Sequence, residues 1–154
     1  MPTDIRVLRA GEEAILDNVF PGVFDNCVDR TAAPEFLADP RHHLAVAIED
    51  GEVVAFASGV HYVHPDKPQP EMWINEVGVA ESRRGCGLGK AVVQALLEEA
   101  RRLGCAEAWV LTDRANAAAM HLYAACGGSE QPPDPVMFAF RLVQRPLERP
   151  VDLE

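Results

Sequence analysis

The stretch "LAVAIEDGEVVAFASGVHYV", residues 44–63, limits the fold more than any other part of the chain. Two apolar runs flank Asp50-Gly51, and Asp-Gly between such runs is the signature of a tight β-hairpin. "IRVLR" at 5–9 alternates and reads as a strand ahead of it. "MWINEVGVA" at 72–80 is apolar enough to be a central strand after it. The first half of the sheet is therefore antiparallel. The pattern then changes. From Leu88 to Leu103, Leu88, Val92, Leu96, Ala100 and Leu103 share one helical face, and Gly104 suits a C-cap. "AEAWVLT" (106–112) reads as a strand, "NAAAMHLYAAC" (116–126) as a helix and "VMFAFRL" (136–142) as a last strand. Strands joined through helices are what a parallel arrangement requires. Upstream, "EEAILDNVF" (12–20) and "TAAPEFLAD" (31–39) read as helices, stopped by Pro21-Gly22 and before Pro40. "HPDKPQP" (64–70) is a proline-rich loop. The sum is a mixed α/β sheet of about six to seven strands with about four helices.

A chain of 154 residues is large enough to bury a core and reads as one domain over 1–144, with a charged tail over 145–154. No apolar run is long enough to span a bilayer, and the N-terminus lacks the pattern of a signal peptide. The expected location is the cytoplasm, with no membrane partner. The four cysteines, Cys27, Cys86, Cys105 and Cys126, are widely spaced, so neither a disulfide framework nor a metal site is expected. The formal net charge of −10 argues against nucleic acid, whose binders need a basic face. It suits either a cationic substrate drawn into a negative cleft or plain solubility.

Between the 72–80 strand and the 88–103 helix lies "ESRRGCGLGK". A dinucleotide fingerprint needs Gly-x-Gly-x-x-Gly, and Gly85 and Gly87 are followed by Lys90 where the third glycine belongs. A P-loop needs glycine at 84 and Ser or Thr at 91, where this chain has Arg84 and Ala91. What remains is a glycine turn running into a helix N-terminus. Such a terminus has unpaired N–H groups and partial positive charge, which suits an anion. Arg83 and Arg84 add charge. The competing reading is a solvated turn.

The segment resembles the Arg/Gln-x-x-Gly-x-Gly/Ala motif of the GNAT superfamily of acetyltransferases, matched by Arg84, Gly87 and Gly89. "NAAAMHLYAACGG" resembles that superfamily's second signature, and the element order over Ile5–Leu142 resembles its fold. Within it, the stretch from His61 to Val93 is similar to that of aminoglycoside 3-N-acetyltransferases. The chain departs from them at "DRANAAA" and between Gly128 and Val136.

The resemblance implies acetyl-CoA as donor, its pyrophosphate on the N–H groups of Arg84, Gly85, Cys86, Gly87, Leu88, Gly89 and Lys90. Its pantetheine arm would lie along Val77, Gly78 and Val79; Gly78 in mid-strand fits a bulge or a close backbone approach. Tyr123 matches the acid that protonates the leaving thiolate, or else is a core aromatic. Asn116 matches a CoA contact and equally an N-cap. Glu76, a carboxylate in a central apolar strand, suits a base, a cation-binding group or a buried salt bridge. His61, Tyr62 and His64 are candidates for lining the acceptor site, and Asp25 and Asp29 for gripping it. His121 reads as surface. The expected function is acetylation of a small cationic amine, foremost an aminoglycoside at its 3-amino group, by a homodimer. Alternatives are another amine (a protein N-terminus, a polyamine or a metabolite) or a non-catalytic acyl-CoA-binding module.

Overall fold

The computed structural model describes residues 2–132 and 134–143. Asp50 and Gly51 both take positive φ, 52° and 78°, as a type I′ turn demands. They join β2 (His42–Glu49) to β3 (Glu52–Tyr62). β1 (Asp4–Val7) pairs antiparallel with β2, and β4 (Glu71–Val79) antiparallel with β3. β5 (Glu107–Val110) lies parallel to β4, giving a five-stranded mixed sheet in the order β1-β2-β3-β4-β5. The helices are α1 (Ala32–Ala38), α2 (Leu88–Arg102) and α3 (Ala117–Ala125).

Two expectations change. The 12–20 helix shrinks to a 3-10 turn over Glu13–Asp17. Phe20 N–H donates to Val53 O and Val53 N–H to Asn18 O, so residues 18–20 lie beside β3 instead of continuing a helix. The strand expected over 136–142 is exposed and unpaired. A strand exists only with a ladder partner, and the preceding stretch "GGSEQPPDP" does not bring it to β5. Five strands and three α-helices thus replace six to seven and four, within the expected fold class. The 145–154 tail lies outside the described residues.

β2 is buried without interruption over 43–47 and β3 over 53–59, because both faces of the sheet are covered. α2 packs on one face with Val92, Val93, Leu96 and Ala100. A Cβ at Gly59 would lie 3.2 Å from Leu96, which marks the α2 face. The segment before α1 covers the other face, where Phe24 stacks on Phe56 with centroids 3.9 Å apart.

The register of β3 with β4 slips once. Gly59 faces Ile74 and Ser58 faces Glu76, leaving Asn75 as the extra residue of a β-bulge. β5 pairs with β4 only over Glu71–Ile74. From the bulge onward the outer edge of β4 is bare among the described residues.

Two buried polar groups fasten the α2 side. Glu99, 5% exposed, accepts from Arg102 Nε at 3.0 Å and from Arg9 Nη1 at 2.8 Å. These bonds, Arg102 first, hold its carboxyl at about 2. His43, equally buried, bonds through Nε2 to His61 Nδ1 at 2.7 Å. Burial, then the neighbouring His61, pushes its pKa down from 6.5 to about 4. The signs follow from linkage. Below pH 6.5 the unfolded chain binds a proton at His43 that the folded chain refuses, so stability falls between about 6.5 and 4. The Glu99 contribution is whole above 4.5 and is lost toward about 2. Urea unfolding at a series of pH values should show a falling midpoint from pH 7 to 4. His43→Gln should flatten it, by at most about 1.4 kcal/mol per pH unit.

Candidate active site

The glycine turn is built as its composition implies. Gly85 and Gly87 have φ of 76° and 81°, the left-handed region that glycine enters freely. Gly87 precedes α2 and no side chain caps the helix. Among the described residues, the N–H groups from Gly85 to Lys90 have no backbone acceptor, and the space beside Gly85 and Gly87 is open. Arg84 differs from expectation. Its N–H donates to Glu81 O in the short turn Glu81–Arg83, so the open row of donors starts at Gly85. Gly89 lies against Val79 and Leu122, where an added Cβ would make only ordinary contacts at 3.5 Å. The two arginines divide their work. Arg83 forks onto Glu49, with Nε 2.8 Å from Oε2 and Nη2 2.6 Å from Oε1, and Thr3 donates to the same carboxylate at 2.8 Å. Arg84 is exposed and has no ion-pair partner among the described residues. Open N–H groups, a helix N-terminus and a free guanidinium fit a pyrophosphate.

Next to this cradle runs the bare edge of β4. Val77 and Val79 pair on the inner side with Ala57 and Ala55. Their outer backbone groups can take an extended ligand in place of a strand. Gly78 permits a close approach, but by the chain itself. A Cβ there would lie 2.2 Å from Val23 O and 2.6 Å from Phe56.

Glu76 is exposed and has no ion-pair partner among the described residues, so the buried salt bridge does not form. The bulge at Asn75 accounts for this. Strict alternation would point Glu76 with Met72 and Ile74 into the core; the extra residue turns it to the face opposite α2, level with Ser58. That face carries residues that sequence reasoning passed over. Trp73 and Trp109 are cross-strand partners whose rings stack at 5.7 Å and 15°. Trp109 Nε1 donates to Tyr62 Oη, and Tyr62 meets His64 edge-on. His64 bonds Glu71 at 3.1 Å, and that bond leads the causes that lower the Glu71 pKa. The signal was present in the matching positions of the two tryptophans, but only the β4–β5 register reveals it.

The remaining candidates separate. His61 turns to the α2 face and binds His43, so it does not join Tyr62. Asp29 accepts from Thr31 Oγ1 at 2.7 Å, Thr31 N at 2.8 Å and Ala32 N at 2.9 Å, which starts α1 and lowers its pKa. It is a helix-capping group rather than a free anionic grip. Asp25 is exposed. Asn116 caps α3, accepting from Ala119 N at 3.0 Å. Tyr123 is half-buried on α3, which packs on α2. Burial, then Cys126, raises its pKa, so the phenol is protonated at neutral pH. Glu76 and Tyr123 thus stand on opposite faces of the sheet. His121 is exposed, as expected.

Two substitutions test this frame. Gly78→Ala should cost about 3 kcal/mol in urea unfolding, since backbone must move. Arg83→Ala should cost about 1–2 kcal/mol through loss of the Glu49 fork, whereas Arg84→Ala should leave stability unchanged.

Comparison with known proteins agrees with this geometry. The model of the acetyltransferase (GNAT) family matches residues 13–127. A comparison with curated protein sequences finds no match. Among solved structures, an aminoglycoside acetyltransferase, meta-AAC0020, from an uncultured soil metagenomic sample superposes with a TM-score of 0.77 at 19% identity, covering 92% of this chain and 97% of that one. The aminoglycoside N-acetyltransferase AAC(6')-Iy in complex with CoA gives 0.71 at 21%, covering 92% and 96%. A ribosomal-protein-alanine N-acetyltransferase from Brucella melitensis biovar Abortus 2308 gives 0.69 at 19%, covering 91% and 99%. The chain belongs to the acetyltransferase (GNAT) family and is an acetyl-CoA-dependent N-acetyltransferase.

Proposed function

We propose that the acceptor is a small cationic amine, foremost an aminoglycoside, with the 3-amino group as the expected position. The observation that carries this reading is Glu76: an exposed carboxylate without an ion-pair partner among the described residues, on the same face as Trp73 and Tyr62. A carboxylate attracts an ammonium group, and indole and phenol rings favour cations and sugar faces. The net charge of −10 adds to the attraction. Several structural neighbours are aminoglycoside acetyltransferases, one of them solved with sisomicin. On this reading the enzyme acts in the cytoplasm as a homodimer and confers antibiotic resistance.

Acetyl-CoA supplies the thioester. Gly85–Lys90 and Arg84 hold its pyrophosphate, and the bare edge of Val77–Val79 aligns its arm toward Glu76. An ammonium group cannot attack, so Glu76 removes its proton, directly or through one water. Tyr123, with its pKa raised, donates a proton to the departing thiolate. Asn116 keeps α3 and therefore Tyr123 in place through its cap.

Tyr123→Phe and Glu76→Gln should each lower kcat about 100-fold or more, read by thiol release. Unchanged turnover in Tyr123→Phe would remove the acid role. Arg84→Ala should raise KM for acetyl-CoA about tenfold with kcat kept. Trp73→Ala should raise KM for the acceptor alone. The acceptor itself is decided by a panel of aminoglycosides, polyamines and peptide N-termini, with NMR of the product giving the acetylated position. Absence of turnover on every aminoglycoside would refute the narrow reading.

A further inference from the structure

Arg83 belongs to the glycine segment, yet its guanidinium is committed to the sheet. It forks onto Glu49 at the end of β2, with Nη2 2.6 Å from Oε1 and Nε 2.8 Å from Oε2. Thr3 Oγ1 donates to the same carboxylate at 2.8 Å. The Glu49 side chain is only 11% exposed. A forked, charge-assisted pair at that depth is stronger and more directional than an ion pair in open solvent. Sheet stability does not explain the carboxylate. Glu49 lies opposite Glu52, the last pair of the β2–β3 ladder before the Asp50-Gly51 turn. Like charges directly opposite one another weaken a ladder. What Glu49 gives the molecule is its hold on Arg83 and Thr3.

The segment that Arg83 fastens has little else to fix it. Upstream, Ala80 is fully buried, its N–H donates to Val54 O at 2.8 Å, and Arg83 N–H donates to Ala80 O at 2.8 Å. Downstream, Ala91 N–H donates to Gly87 O at 3.0 Å as α2 begins. Between these points the N–H groups of Gly85, Cys86 and Gly87 have no backbone acceptor among the described residues. A Cβ at Gly85 or Gly87 would meet nothing within 4 Å. Glycine loses more conformational freedom on ordering than any other residue. A turn with two such glycines and no packing keeps its shape only as firmly as its two ends are held.

We propose that Glu49 is a positioning residue for the acetyl donor: through Arg83 it holds the glycine turn in the shape that binds the pyrophosphate of acetyl-CoA. This rests on the placement of that pyrophosphate in the proposed function and adds the group that keeps its site formed. A carboxylate repels phosphate, and Glu49 with Arg83 makes a neutral pair. Its contribution is therefore shape and not charge. The two adjacent arginines then have separate tasks: Arg84 supplies the cation and Arg83 the brace. With the brace gone, each binding event must order the turn again, and that ordering is subtracted from affinity.

The test uses the full chain with no acceptor present. Calorimetry gives the Kd for CoA, and backbone amide relaxation by NMR reports on Gly85 and Gly87. Glu49→Gln should weaken CoA binding about tenfold and raise the mobility of Gly85 and Gly87, with the β3 amides unchanged. A loss of global stability alone lowers the urea midpoint and moves neither quantity in the folded protein. Unchanged CoA binding by folded Glu49→Gln overturns the proposal. Tighter binding also overturns it, since the carboxylate would then be withholding Arg83 from the phosphates. If Glu49→Gln does not fold, Arg83→Lys, which keeps the cation and loses the fork, decides by the same two measurements. Arg84→Ala separates this role from the site it serves. If Arg84→Ala weakens CoA binding and Glu49→Gln does not, the pyrophosphate site stands and only the role of Glu49 falls. If neither variant weakens it, the placement of the pyrophosphate is refuted and the proposal falls with it.

Discussion

The single extra residue Asn75 governs the whole site. Without the bulge, β4 would alternate without a break and Glu76 would enter the core beneath α2. The same irregularity coincides with the point where β5 stops pairing. One local slip in a ladder therefore turns a carboxylate outward and bares a backbone edge. The cost is a few lost hydrogen bonds in a strand of which only Met72 and Ile74 are fully buried. The sheet holds because β2 and β3 beside it are covered on both faces.

The glycine turn depends on a more ordinary interaction. Arg83 and Glu49 form a forked ion pair that fixes the turn to the end of β2 before the helix begins. Gly85 and Gly87 then give the chain the left-handed bends that aim a row of N–H groups outward. Glu99, between Arg9 and Arg102, fastens the other end of α2 to the β1 side. The helix is thus held at both ends by arginine–carboxylate contacts, which keeps the open N–H groups at its N-terminus in place.

Much of this was legible in the residues. The Asp50-Gly51 hairpin, the α2 face, the donor cradle and the α3 helix follow from local periodicity and turn chemistry. The misses share a cause, which is that they depend on partners distant in the chain. A bulge has no sequence signature of its own, so Glu76 read equally as base, cation grip or buried ion pair. Two adjacent arginines are indistinguishable until Glu49 takes one of them. Trp73 and Trp109 look like core residues until the parallel register sets them side by side. His61 and Tyr62 are neighbours in sequence, yet a strand sends them to opposite faces. The segment at 136–142 has strand composition, but composition does not supply a ladder partner, and the segment stays exposed.

The contact of Val23 with Gly78 has a consequence for redesign. The connection before α1 rests on Gly78 of β4, the strand whose outer edge, under the proposed function, receives the acetyl donor. Insertions or deletions near residues 21–24 would therefore disturb donor alignment as well as acceptor choice. An engineer wishing to change which amine is accepted has more freedom at the two tryptophans, whose side chains can be exchanged while the backbone beneath the thioester stays where it is.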